Sequence, residues 1–280
     1  VEFAVAFNAA VDGIGDANLR NSFRTQMIDL TDLEADYRAR AGQSALFSLP
    51  RVLAKLGADP LVRGTLRKSD LTGLYSQYFA GKGKPARLIY DQLKVTSKGK
   101  CPFCGDLGHV RTLDHYIPKA NFPLHSVLPL NLVPCCRDCN TEKLGGFPTA
   151  LETQPLHPYF DDDKFFIEKW VEARVIPGAP PVIEFFVSPP TQWHDHEKSR
   201  VAHHFECYDL ATRFGTEAGS DLSEVITTRR TTLKDDTPVA FSQYLSEKSN
   251  NLSLPTNNWR RVMFNALAND QWFCSHFHPM

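Results

Sequence analysis

Apolar residues recur at Leu71, Leu74, Tyr75, Tyr78 and Phe79, the i, i+3, i+4, i+7, i+8 stripe of a helix with one buried face. Ser69-Asp70 precedes the stripe and reads as its cap. The stripe is assigned to the core, with no chemical role. "GKGKP" at 81–85 ends this helix, and "ARLIYDQLK" forms a second, shorter one. With the residues before them, these segments make positions 1 to about 95 helical. The helical period returns after Glu197, where Leu210, Phe214, Leu222, Val225 and Ile226 share a face. "SLPTNNWRRVMFNALANDQWF" then predicts a capped helix ending near Trp272. Partial alternation around a Pro-Gly turn predicts an antiparallel hairpin at about 164–188.

The middle of the chain breaks this pattern. "HVRTLDHYIPK" reads as a short strand ending at Asp114-His115, "ANFPLHSVLPL" as a loop and "NLVP" as a second strand. "CCRDCNTEKLGG" opens a short helix stopped by Gly145-Gly146. The expected fold class is α+β and mostly helical, with a small ββα module and a hairpin set between helical flanks. The boundaries are 1–100 for the first helical region and 101–146 for the module. A linker with the hairpin spans 147–190, and a second helical region 191–280.

Composition changes this picture only locally. A chain of 280 residues that is 42% hydrophobic and 22% charged is an ordinary globular protein. The net charge of −1 gives no global sign of a nucleic-acid partner. Residues 82–119 nevertheless carry eight basic side chains against three acids, whereas 151–206 carry ten acids against five bases. The basic stretch leads into the cysteines, as expected for an anionic ligand held near them; two solvated faces of opposite sign are the alternative. The N-terminal "VEFAVAFNAA" lacks a basic leader, and no apolar run reaches the roughly 20 residues of a bilayer span. A soluble, cytoplasmic protein without a membrane partner is expected.

Of seven cysteines, four form two Cys-x-x-Cys pairs, Cys101/Cys104 and Cys136/Cys139. Each two-residue gap lets a tight turn present two sulfurs to one ion, so one structural Zn²⁺ per chain is expected. Rubredoxin-like iron would use similar ligands, but nothing else in the chain suggests redox chemistry. Pairing Cys135 with Cys139 would leave a three-residue gap, which favours Cys136. Cysteines spaced for metal, and an odd total, point to a reducing compartment. His109 and His125 lie near these cysteines; His109 reads as an exposed loop residue, with an extra phosphate contact as the alternative. His157 and the pairs His194/His196, His203/His204 and His276/His278 lack ligand spacing and are assigned structural roles.

The compound pattern C-x-x-C, D-H-x-x-P, N-L-x-P-x-C-x-x-C-N-x-x-K, over 101 to about 146, resembles the HNH or His-Me finger endonucleases and their ββα-metal fold. The resemblance implies that His115 is a general base taking a proton from water. Asp114 and Asn140 would be ligands of a catalytic Mg²⁺ or Mn²⁺, and Asn131 would orient the loop that carries His115. The third letter of the motif is Asn here rather than His, which keeps an oxygen ligand for the metal. The residues support the same chemistry directly: hydrolysing a phosphodiester needs an activated water and charge neutralisation at phosphate, and His, Asp and Asn can supply them. Lys143, three residues past Asn140, and Lys119 are the candidate phosphate contacts. DNA is the expected substrate, with RNA left open. The rival reading is a non-catalytic, zinc-stabilised nucleic-acid-binding or adaptor protein. The flanks "RLIYDQL", "LHPYFDD" and "NWRRVMFNALANDQWFC" resemble bacterial anti-phage defence nucleases of the Septu type, which implies an ATPase partner subunit.

Overall fold

The computed structural model describes every residue except Leu56, Leu144, Gly145 and 277–280. Gly145, half of the expected helix stop, and His278 therefore lie outside the described residues. The chain divides into two compact units, Val1–Pro102 with Gly108–Asp161 and Phe103–Leu107 with Asp162–Met280.

The first unit opens with helices α1 (Phe3–Asp12), α2 (Ala17–Gln26) and α3 (Leu30–Gly42). Asp16 caps α2 by accepting from the N–H groups of Asn18 and Leu19. Phe3, Phe7 and Phe23 meet edge to face in a core where each is at most 2% exposed. The expected all-helical stretch is interrupted by a small hairpin, β1 (Leu61–Arg63) with β2 (Leu66–Arg67). It is too short to leave an alternating signature.

The striped helix also differs from expectation. Helix α4 (Lys68–Gly73) is capped not by Ser69 but by Asp70, whose carboxylate reaches back to the Arg67 N–H at 2.8 Å. The Ser69 hydroxyl is engaged with Asp59. From Leu74 to Phe79 the backbone adopts π spacing, with Ala80 N–H donating to the Tyr75 carbonyl five residues back. The turn buries Leu74, Tyr75 and Phe79. Helix α5 (Arg87–Val95) follows as expected.

Strands β3 (Thr112–His115) and β4 (Leu132–Cys135) pair antiparallel, Thr112 opposite Cys135 and His115 opposite Leu132. Tyr116 N–H donates to Asn131 O, so in this register Thr112, Asp114 and Tyr116 occupy the hydrogen-bonded positions. Pro134 lies opposite Leu113 at a non-hydrogen-bonded position, where its missing N–H costs no ladder bond. For the same reason the carbonyls of Leu113 and His115 point away from β4 and need other donors. Helix α6 (Arg137–Glu142) completes the expected strand, loop, strand, helix order.

The second unit holds α7 (Lys164–Ile167), β5 (Val171–Ile176), β6 (Val182–Val187) and helices α8 (Asp195–Cys207), α9 (Leu210–Arg230), α10 (Pro238–Ser249), α11 (Trp259–Asn269) and α12 (Gln271–His276). The hairpin is shorter than expected, because Lys164–Ile167 forms a helical turn before it. Asn257 ties β5 down by accepting from the N–H groups of both Trp170 and Val171. Phe185 of β6 meets Phe214 of α9 edge to face, 5.5 Å between centroids. The last helix breaks at Asp270, whose carboxylate accepts from Phe273 N–H and so starts α12. Among the described residues no helix is long and apolar enough to cross a membrane.

Candidate active site and metal centres

The two cysteine knuckles are local turns. Pro102–Cys104 is a turn of 3₁₀ helix, and Gly105 follows with a φ of 56° that glycine adopts without strain. Cys136 stands at the N-cap of α6, where its sulfur accepts from Cys139 N–H at 3.4 Å. The ligand atoms of Cys101, Cys104, Cys136 and Cys139 all lie within 4.8 Å of one another, and all four residues are buried. A zinc tetrahedron with Zn–S near 2.3 Å has sulfur–sulfur edges of about 3.8 Å, so the cluster fits one structural zinc. Cys135 is also buried but is not among the four whose ligand atoms cluster.

Asp114 and His115 end β3. The His115 imidazole is 8% exposed, and its Nε2 lies 2.8 Å from the Ser126 carbonyl oxygen. A carbonyl can only accept, so Nε2 carries the proton and the lone pair of the neutral ring is on Nδ1. Burial pushes the imidazole pKa down to about 3; the Ser126 carbonyl opposes this, and the Lys119 and Lys143 ammonium groups add to it. The neutral form is the one this environment favours.

The loop between the strands is held by Asn131, which is fully buried. Its Oδ1 accepts from Ile117 N–H at 2.8 Å, and its Nδ2 donates to the carbonyls of Ile117 and His125. The Tyr37 hydroxyl of α3 donates to the same Oδ1 at 3.3 Å and lies 3.2 Å from His157 Nε2. His157 Nδ1 accepts from Tyr159 N–H, so its Nε2 carries the proton that Tyr37 receives. Asn131 is thus the end of a directed chain running from His157 through Tyr37. Leaving its buried backbone partners unpaired would cost several times the roughly 1–3 kcal/mol of one such group. Asn131→Ala therefore tests folding as much as rate.

Asp114, His115, Lys119, Asn140 and Lys143 line one open cavity of about 340 Å³. Asn140 is exposed on α6. Lys143 sits just past α6, and its ammonium contacts Asp114 Oδ2 at 2.9 Å and the His115 carbonyl at 2.6 Å. It is an anchored cation, not one reaching into open space. The half-buried Lys119 ammonium lies 4.7 Å above the Tyr75 ring and has no carboxylate partner among the described residues. Of the two lysines, Lys119 is the better placed for an incoming phosphate. Asp114 Oδ1 has no protein donor among the described residues, and with the Asn140 side chain it offers the hard oxygens that a small divalent ion takes.

Sequence reasoning missed Tyr75, Tyr37 and Ser126, whereas His157, assigned a structural role, holds Tyr37 in place. Tyr75 sat in a stripe whose spacing cannot separate a core ring from one facing a site. Ser126 acts through its backbone, which leaves no residue-type signal. His204, assigned a structural role, donates to the Phe103 carbonyl at 2.8 Å.

His125 is 6% exposed, and neither ring nitrogen has a hydrogen-bond partner among the described residues. Burial pushes its pKa from 6.5 down to about 4, partly offset by Asp36. Below pH 6.5 the unfolded chain gains a proton that the folded one refuses, so stability falls as pH drops towards 4. His115 pulls the same way. His125→Phe is expected to narrow, without closing, the gap between melting temperatures at pH 7.5 and pH 5. An unchanged gap would show that His125 is not buried in this way.

Residues 101–144 match the HNH endonuclease family model. The chain is 39% identical to protein ea31 of Escherichia phage lambda over 283 aligned positions, 97% of this chain and 95% of that protein. No solved structure matches. A cysteine-clamped ββα segment with an Asp-His strand end and a following Asn defines an HNH endonuclease domain. The whole chain belongs to the family of phage lambda protein ea31.

Proposed function

We propose that the protein is a metal-dependent endonuclease that hydrolyses phosphodiester bonds in DNA. The observation that carries this is the His115 imidazole, pinned through Nε2 with no hydrogen-bond partner at Nδ1 among the described residues, in the cavity that Asp114, Asn140 and Lys119 also line. His115 Nδ1 accepts a proton from the attacking water. Asn131 holds the loop so that this nitrogen keeps its aim. Lys119 pairs with a phosphate oxygen, and Lys143 steadies Asp114 and the end of β3. A Mg²⁺ or Mn²⁺ ion held by Asp114 and Asn140 would supply charge neutralisation at the phosphate and help the leaving oxygen depart.

The choice of DNA rests on the family match and on the basic stretch at 82–119. A cytoplasmic role in anti-phage defence, beside an ATPase subunit, is the biological setting that the flanking segments favour.

The test is purified protein on supercoiled plasmid, linear duplex, single-stranded DNA and RNA, with Mg²⁺, Mn²⁺ or chelator. Metal-dependent cutting of duplex DNA is expected. Binding to nucleic acid without cutting under any ion, alone or with the ATPase, would favour the adaptor reading. Lys119→Ala is expected to weaken duplex binding several-fold and to lower the salt slope by about one unit, the signature of one lost phosphate contact. Lys143→Ala should instead act mainly on rate, since its charge is already spent on Asp114. An unchanged salt slope in Lys119→Ala together with a lowered one in Lys143→Ala would reverse the assignment.

A further inference from the structure

The carbonyls that β3 turns away from β4 are held from outside. Lys143 takes that of His115, and the Tyr75 hydroxyl donates to that of Leu113 at 3.0 Å. The Tyr75 ring also stands against the His115 imidazole, 4.3 Å between centroids and inclined at 70°. Its own position is fixed by stacking on Phe79, which is fully buried. Just before it, the Leu71 carbonyl accepts from the Ser126 hydroxyl at 2.6 Å, and Ser126 is the residue whose carbonyl receives His115 Nε2–H. One short segment therefore holds the imidazole twice, in ring plane through Tyr75 and in tautomer through Leu71 and Ser126.

We propose that Leu71–Phe79 is the template for the general base, with Tyr75 as a positioning residue that fixes the plane of His115 and the register of β3. The role of His115 as base rests on the function proposed above; the contacts to its ring do not. Tyr75 and Phe79, four residues apart in the π turn, stack at 5.9 Å, while the Leu71 carbonyl, back in α4, accepts from the Ser126 hydroxyl. A base misaimed by even about 1 Å loses on the order of 10²-fold in rate, so the template acts on turnover rather than on substrate binding.

Tyr75→Leu removes both the ring and the hydroxyl. Plasmid cleavage with saturating Mg²⁺ or Mn²⁺ is expected to lose about 10- to 100-fold in kcat, with KM changed less than about threefold. Tyr75→Phe keeps the ring and should recover most of the rate. Ser126→Ala breaks the Leu71 tether while sparing both rings, and should lose kcat several-fold. Zinc content confirms that each variant is folded. The second readout needs no substrate: in ¹⁵N-histidine-labelled protein the His115 Nε2–H should be sharp and slow to exchange, and should broaden or vanish in Tyr75→Leu. Full kcat in folded Tyr75→Leu, a loss confined to KM, or an unaltered Nε2–H signal would each overturn the proposal. Were the wild type to cut nothing with any ion, alone or with the ATPase, the nuclease reading would fall, and the Nε2–H comparison would still decide whether Tyr75 holds His115.

Discussion

Cys104→Ser is expected to unfold the segment around residues 101–146 and to abolish zinc binding. The β3–β4 hairpin and α6 are only four, four and six residues long. Elements of that size do not stand alone in water. A structural zinc contributes about 10–16 kcal/mol to such a segment, comparable with the roughly 5–15 kcal/mol that stabilises a whole domain. Losing one of four buried thiolates leaves three that must either bind weakly or protonate. Elemental analysis of the wild type should give one zinc per chain. Limited proteolysis of Cys104→Ser should open cleavage sites between Cys101 and Gly146 that the wild type protects. A wild type without zinc, or a Cys104→Ser protein equally protected, would remove the staple from the account.

His115→Ala is expected to lower the cleavage rate by about 10²–10⁴-fold, the usual cost of losing one general base. Zinc content and duplex binding should stay at wild-type levels, because the imidazole touches the Ser126 carbonyl and the Tyr75 ring and no cysteine of the cluster. Some loss of melting temperature is expected, since the buried Ser126 carbonyl loses its donor, at about 1–3 kcal/mol. At His115 the loss of rate is thus far larger than the single unpaired carbonyl explains. Rate and stability would not separate at Asn131, whose amide holds three backbone groups and a tyrosine.

What could be read from the sequence follows from how local each feature is. The cysteine cluster was legible because two tight turns hold its pairs at short, fixed spacings, and Asp114, His115 and Asn140, proposed above as the catalytic centre, fall within the same pattern. The family pattern encodes that spacing directly. Tyr37 and Asn131 meet across 94 positions, and Tyr75 reaches Leu113 across 38, so neither pairing leaves a local trace. The hairpin at 61–67 was invisible because two- and three-residue strands cannot alternate enough to be seen. The helix over 69–79 was read correctly as buried but wrongly as regular. Apolar spacing alone does not tell its π turn from a regular α-helix. Lys143 was placed near the site by helical spacing, but only the structure shows that Asp114 already engages its charge.

The central claim is that Asp114, His115 and Asn140 form a metal-dependent hydrolytic centre. It is tested most directly by one time course of supercoiled plasmid with wild-type protein and His115→Ala of matched zinc content, each with Mn²⁺ or Mg²⁺ and with chelator. Relaxed or linear product is expected from the wild type only when the ion is present, and essentially none from His115→Ala. Cleavage by His115→Ala at the wild-type rate would contradict the claim.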